Sequence, residues 1–95
     1  MSAAQLLRSF SQAVYNHLHP DTQADAGFTY PTWEMALQQL AEPAGRGRFI
    51  VILDEFSYAV EVEPSLPSVL QNMWDHRLQQ TQMLLVICGS HIGMM

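Results

Sequence analysis

Two adjacent carboxylates and one serine are the residues of this sequence best placed for chemistry. Asp54 and Glu55 directly follow five apolar residues, 49–53, and Ser90 closely follows a second apolar run, 83–88. A carboxylate beyond a strand can hold a magnesium ion, directly or through water, and its neighbour can orient or deprotonate a water for attack on a phosphate. By itself the acidic pair fits this chemistry and a buried strand ending in a solvated turn equally well.

The two apolar runs are predicted to be neighbouring parallel strands, over about 48–54 and 82–88. Neither run alternates with polar residues, which is typical of strands covered on both faces by helices. A predicted helix over about 65–80 separates them, so the chain forms a strand–helix–strand crossover. Adjacent strands lie about 5 Å apart, and this spacing would place Ser90 beside Asp54 and Glu55.

Two further helices are predicted before the first strand, over about 2–18 and 32–42. Ser2 and Gln5 fit a capping box at the start of the first helix, and Pro43 is expected to end the second. Apolar residues recur along both segments at three- and four-residue spacing. The predicted fold class is therefore α/β, with two parallel strands and three main helices.

The remaining segments are predicted to be connections. Residues 44–48 contain glycine and arginine but precede a strand, whereas a phosphate-binding loop follows one, so they are read as a connecting turn. An acidic loop is expected after Tyr58, with Glu61 and Glu63, and Ser65 is expected to cap the third helix.

Composition limits the classes of partner. The 95 residues contain 48% hydrophobic and 14% charged residues, carry a net charge of −5 and include no lysine. Such a chain has no basic surface for nucleic acid or anionic lipid, so neither partner is expected. The single cysteine, Cys88, and the lack of a signal-like segment or long apolar run predict a cytoplasmic location.

Three ordered segments of the sequence resemble the archaeal-type ATPase family, a group of AAA-like P-loop ATPases from archaea and bacteria. They are residues 49–58, which contain the apolar-run-plus-Asp-Glu pattern called Walker B, residues 66–75 and residues 84–90. The resemblance extends over residues 28–95 and, more loosely, over residues 1–27.

This resemblance implies a partial three-layer P-loop NTPase fold, covering the Walker B to sensor region as a single partial domain over residues 1–95. It implies ATP and Mg²⁺ as cofactors of the complete domain, with Asp54 associated with magnesium and Glu55 as the catalytic residue. Ser90 would contact the γ-phosphate or the attacking water. Asp75 and Gln71 also match the family, without an assigned role.

One departure from the family is decisive for activity. The Walker A loop, G-x-x-x-x-G-K-[ST], requires a lysine, and the sequence has none. The chain is therefore expected to be an interior fragment of an ATPase domain that is inactive alone. It is expected to self-associate or to contact the missing half of the domain.

Two alternatives remain open at this point. The chain can be a non-catalytic remnant or protein-interaction module that retains the crossover unit. It can also be an unrelated small α/β domain, in which Asp54 and Glu55 form only a surface turn.

Overall fold

The computed structural model describes residues 1–89, which form a mixed α/β structure. Two parallel strands lie together and helices pack beside them. In chain order the elements are α1 (Ala3–Leu18), α2 (Trp33–Gln38), α3 (Ala41–Arg46), β1 (Phe49–Leu53), α4 (Phe56–Val62), α5 (Leu66–His76), a 3-10 turn (Leu78–Gln80) and β2 (Met83–Ile87).

The prediction of two neighbouring parallel strands is confirmed. β1 and β2 pair in register from Phe49 opposite Met83 to Leu53 opposite Ile87. The ladder is bounded by the Phe49 N–H, which donates to the Gln82 carbonyl (3.3 Å), and by the Cys88 N–H, which donates to the Leu53 carbonyl (2.9 Å). The carboxyl ends of both strands therefore lie at the same edge of the sheet.

The hydrophobic core lies on one face of this sheet. Phe49, Val51 and Leu85 turn towards a buried cluster to which α1, α2, α3 and α5 all contribute, and Leu78 within it is 0% exposed. On α5 the buried residues are Leu66 and Leu70, which lie four residues apart on one face of the helix. The buried members of the cluster are Val14, Leu37, Leu40, Ala41, Ala44, Leu70, Leu78 and Met83.

The opposite face of the sheet is open within residues 1–89. Ile50 is 55% exposed, Ile52 is 62% exposed and Leu84 is 56% exposed. The described chain therefore covers only one of the two faces for which its strand runs are suited. Its strand residues are apolar on both faces, but the helices of this segment pack against only one of them.

The first helix begins where the sequence predicts. The Gln5 N–H donates to the Ser2 hydroxyl (3.1 Å) and the Ser2 N–H donates to the Gln5 side-chain oxygen (2.8 Å), which completes the capping box. Farther along, Ser11 is fully buried and its hydroxyl accepts from the Tyr30 N–H at 3.0 Å. This bond anchors the segment before α2 to α1.

The helix predicted over 32–42 is two helices, α2 and α3. Pro43 lies in the first turn of α3 rather than ending the preceding helix, because the first turn of a helix has no use for the missing N–H. Residues 44–46 consequently belong to α3, and the expected connecting turn shrinks to Gly47 and Arg48.

The expected acidic loop is also wrong, since most of it is the helix α4. Ser65 does precede α5, and Pro67 lies in its first turn, but the Ser65 hydroxyl makes no capping bond. It donates instead to a Glu63 carboxylate oxygen at 2.6 Å. A charged acceptor two residues away thus replaces the backbone N–H as the partner of this hydroxyl.

None of the helices within residues 1–89 combines the length and the apolar character that crossing a membrane requires.

Candidate functional site

The acidic pair lies at the carboxyl edge of the two-stranded sheet. Asp54 follows β1 directly, at the point where Leu53 pairs with Ile87. One carboxylate oxygen of Asp54 accepts the Glu55 N–H at 2.9 Å, and both acidic residues are exposed. In open α/β sheets ligands bind beyond the carboxyl ends of the strands, so this is the edge at which a ligand is expected.

The backbone of Glu55 is left-handed, with φ 56° and ψ 42°. It is the one non-glycine residue with positive φ among residues 1–89. The Glu55 carbonyl accepts from the N–H groups of Tyr58 (3.1 Å) and Ala59 (3.3 Å) and so begins α4. Unusual backbone of this kind costs about 1–3 kcal/mol and concentrates at functional sites, which makes Glu55 a candidate functional residue on geometric grounds.

The start of α4 is fastened to the end of β2. The Phe56 N–H donates to the Cys88 carbonyl at 2.9 Å. A Cβ on Gly89 would lie 3.0 Å from the Ser57 hydroxyl oxygen, so a larger residue at position 89 would require the Ser57 side chain to shift. The acidic pair is therefore held between two strand ends rather than on a free loop.

Ser57 is a residue of this edge that reasoning from the sequence did not single out. In the sequence Ser57 lies within the segment 49–58 that resembles the ATPase family, and the resemblance implies no role for it. The start of a helix at Phe56 brings the Ser57 hydroxyl against Gly89. A left-handed residue at the helix start is not visible in the sequence pattern, since glutamate rarely adopts it.

Ser90, the third predicted site residue, lies outside the described residues. Its predicted position beside Asp54 and Glu55 stays a prediction. Gln71 and Asp75, which had no assigned role, both lie exposed on α5, and the Gln71 amide donates to the Asp75 carboxylate at 2.9 Å. This spacing of four residues stabilises the helix surface, and the contact accounts for the pair without reference to a ligand.

The carboxylates offer limited means of holding a metal ion. Within residues 1–89, three or more histidine, cysteine or acidic side chains do not cluster as a metal site requires. Magnesium is commonly held by one or two carboxylates together with water and substrate phosphates, and Asp54 with Glu55 fits that pattern of donors. His17 and His19, by contrast, make ring contacts with Phe49 and Tyr15.

A groove of about 440 Å³ runs beside β1. One wall is α1, through Phe10 and Ala13, and the other is β1, through Ile50 and Ile52, with Asp54 at the carboxyl end of the strand. The walls are mainly apolar, so the groove suits side chains of a polypeptide better than a polyphosphate.

The sequence is similar to part of an uncharacterized protein from an archaeon. The chain is 37% identical over 43 residues to the uncharacterized protein MJ0424 of Methanocaldococcus jannaschii, and the match covers 45% of this chain. The aligned part is 42% of the relative, so the chain spans less than half of that protein's length. No protein family matches the sequence, and no solved structure matches it.

Proposed function

We propose that this chain is the Walker B and sensor part of a P-loop ATPase domain, whose complete form binds ATP and hydrolyses it with Mg²⁺. The observation that carries the proposal is the position of Asp54 and Glu55, which follow β1 at the edge where a parallel neighbour also ends. The left-handed backbone of Glu55 supports it, because this conformation fixes the acidic pair between β1 and α4.

The two carboxylates have distinct proposed roles. Asp54 would hold magnesium, directly or through water, since its carboxylate is exposed. Its Oδ1 accepts the Glu55 N–H, and the proposed magnesium contact would use Oδ2. Bound magnesium neutralises charge on the transferring phosphate. Glu55 would orient the attacking water and take its proton, and Ser90 would contact the γ-phosphate or that water.

Residues 1–95 alone are expected to bind ATP negligibly. Most of the favourable contacts to a triphosphate come from a lysine and from the N–H groups of a glycine-rich loop, and the sequence contains no lysine. The net charge of −5 adds repulsion. Titration calorimetry with Mg²⁺ and ATP checks this, and micromolar binding would contradict it.

The catalytic assignment is tested in a polypeptide that adds a strand and a Gly-Lys-Ser/Thr loop to residues 1–95. Glu55→Gln should retain ATP binding and lower turnover by at least about 100-fold, because the amide cannot accept the proton of water. Asp54→Asn should instead weaken magnesium-dependent binding. The matched control is Glu61→Gln, an exposed glutamate on α4, which should change neither property. Full turnover by Glu55→Gln would refute the proposal.

A second candidate function is a non-catalytic interaction module. The open sheet face and the groove beside β1 favour it, because both present apolar surface that a partner can cover. The sequence of the DNA upstream of the Met1 codon separates the two candidates. A reading frame that encodes a Gly-Lys-Ser/Thr loop there supports the ATPase, and ordinary intergenic sequence supports the module.

A further inference from the structure

The outer edge of β1 is an unpaired strand edge, and we propose that a second copy of the chain binds there. In the proposed dimer the two β1 strands pair antiparallel about a two-fold axis at Val51, which gives a continuous four-stranded sheet with β2 at each outside edge. The proposal goes beyond the ATPase assignment, because it concerns residues 1–95 by themselves and needs no nucleotide, although Asp54 takes part in both.

The backbone of β1 offers a self-complementary set of hydrogen-bonding groups. In the ladder with β2, the groups of Phe49, Val51 and Leu53 point towards β2. The N–H and C=O of Ile50 and Ile52 therefore point to the outer edge. Within residues 1–89 no backbone hydrogen bond reaches them. Antiparallel pairing centred on Val51 sets Ile50 opposite Ile52 of the second copy, and each of these outward groups gains a partner.

The edge is also accessible to another strand. The groove of about 440 Å³ lies between β1 and α1, and the side chains of Ile50 and Ile52, on the open face next to this edge, are 55% and 62% exposed. An unpaired apolar edge of this kind is a template for strand addition. The opposed side chains in the dimer would be isoleucine with isoleucine and valine with valine, which are favourable cross-strand pairs.

The charges at the two ends of β1 favour antiparallel pairing with a second copy of the same strand. Arg48 and Asp54 flank β1, each three residues from Val51, so the pairing sets Arg48 opposite Asp54 of the other copy at both ends. Both residues are exposed, and within residues 1–89 the recorded salt bridge joins a different pair, Arg46 and Glu42. Parallel pairing would instead oppose like charges, which destabilises a sheet.

The outer edge of β2 lacks this complementarity. Pairing β2 with itself about Leu85 would set Gln82 opposite Cys88, and neither of these residues carries a charge that selects a direction. The two edges are similar in apolar character, so the flanking charges distinguish them. The edge of β1 is therefore the one at which a specific dimer is expected.

Charge reversal with a mixing control tests the proposed dimer. Sedimentation equilibrium of the unmodified chain should show a monomer–dimer equilibrium. Arg48→Glu and Asp54→Arg should each raise the dissociation constant by about tenfold, because either change turns two attractive pairs into two repulsive ones. An equimolar mixture of the two variants should recover the original affinity, since in the mixed dimer the introduced charges face each other. A chain that stays monomeric, or a mixture without recovery, overturns the proposal.

A backbone variant tests the edge itself. Ile52→Pro removes an N–H that points outwards and takes part in no bond to β2, so it should abolish the dimer while circular dichroism shows the fold retained. The matched control is Leu84→Lys, which changes the open face on β2 without touching the edge of β1. Association that survives Ile52→Pro, or that disappears in Leu84→Lys, would show stacking of sheet faces and overturn the proposal. If Ile52→Pro does not fold, the charge variants alone decide.

Discussion

The two faces of the sheet have nearly the same composition and opposite environments. Phe49 and Val51 on one face pack against the helical core, whereas Ile50 and Ile52, their neighbours in the chain, are more than half exposed. Both sets are large and apolar, so the strand sequence itself does not distinguish the faces. What distinguishes them is the helical layer, because the core to which α1, α2, α3 and α5 contribute lies on a single face.

An apolar strand sequence therefore indicates that both faces of the strand suit apolar contacts, but it does not indicate which segment provides those contacts. Complete burial of one large apolar side chain is worth roughly 1.5–3 kcal/mol. Covering the open face with a partner, a second copy or an additional segment of polypeptide would therefore add to stability.

The largest expected difference is between two leucines cut back to alanine. Leu78→Ala in the buried cluster should lower the free energy of unfolding by about 2–5 kcal/mol, since Leu78 is 0% exposed and its loss leaves a cavity. Leu84→Ala on the open face, where Leu84 is 56% exposed, should cost about 0.5 kcal/mol or less. Urea unfolding at a low protein concentration measures both. Equal losses would show that the open face is covered in solution.

A smaller effect is expected from the hydrogen bond between Ser11 on α1 and the segment before α2. Ser11→Ala should cost about 1–3 kcal/mol, because the Tyr30 N–H loses its acceptor at 3.0 Å in a buried position. Ser9→Ala on the exposed side of α1 is the matched control and should be nearly neutral. If Ser11→Ala is equally neutral, water replaces the hydroxyl and the segment before α2 is held by apolar packing alone.

The sequence predicts most of the elements and the location of the acidic pair, for physical reasons that particular residues illustrate. The runs 49–53 and 83–87 are recognisable because apolar residues without alternation are rare outside buried strands. The capping box of Ser2 and Gln5 is recognisable because it depends on local spacing. Parallel pairing follows from the helix between the strands.

Other features depend on tertiary contacts and were not predictable. The left-handed Glu55 and the helix α4 are held in place by the bond from Phe56 to Cys88, which joins residues far apart in sequence. The prediction that Pro43 ends a helix is wrong because proline is common both just after one helix and in the first turn of the next, and the sequence does not distinguish the two positions. Which of the two faces stays open cannot be read from the strands, since strand composition does not specify which segment supplies the cover.

The smallest expected effect is a pH dependence at alkaline pH. Burial against the covered face, and secondarily Tyr15, raise the pKa of Tyr30 above its ordinary value of 10.0. A raised pKa in the folded state means that the contribution to stability is complete below pH 10 and is lost as pH rises through the folded-state pKa. Tyr30→Phe should therefore flatten the decline of Tm above pH 10, with exposed Tyr58→Phe as the control. An unchanged slope would show that Tyr30 ionises as freely in the folded chain as in the unfolded one.

The hydrogen bond from the Phe56 N–H to the Cys88 carbonyl joins the backbone beside the acidic pair to the end of β2. Phe56, the residue after Glu55, donates its N–H to the Cys88 carbonyl at 2.9 Å. Ser57 lies close to Gly89, where a Cβ would be 3.0 Å from the Ser57 hydroxyl oxygen. The backbone that follows Glu55 is thus positioned by the end of β2 as well as by the end of β1. The acidic pair therefore depends on two strand ends, although it follows only one of them in the chain.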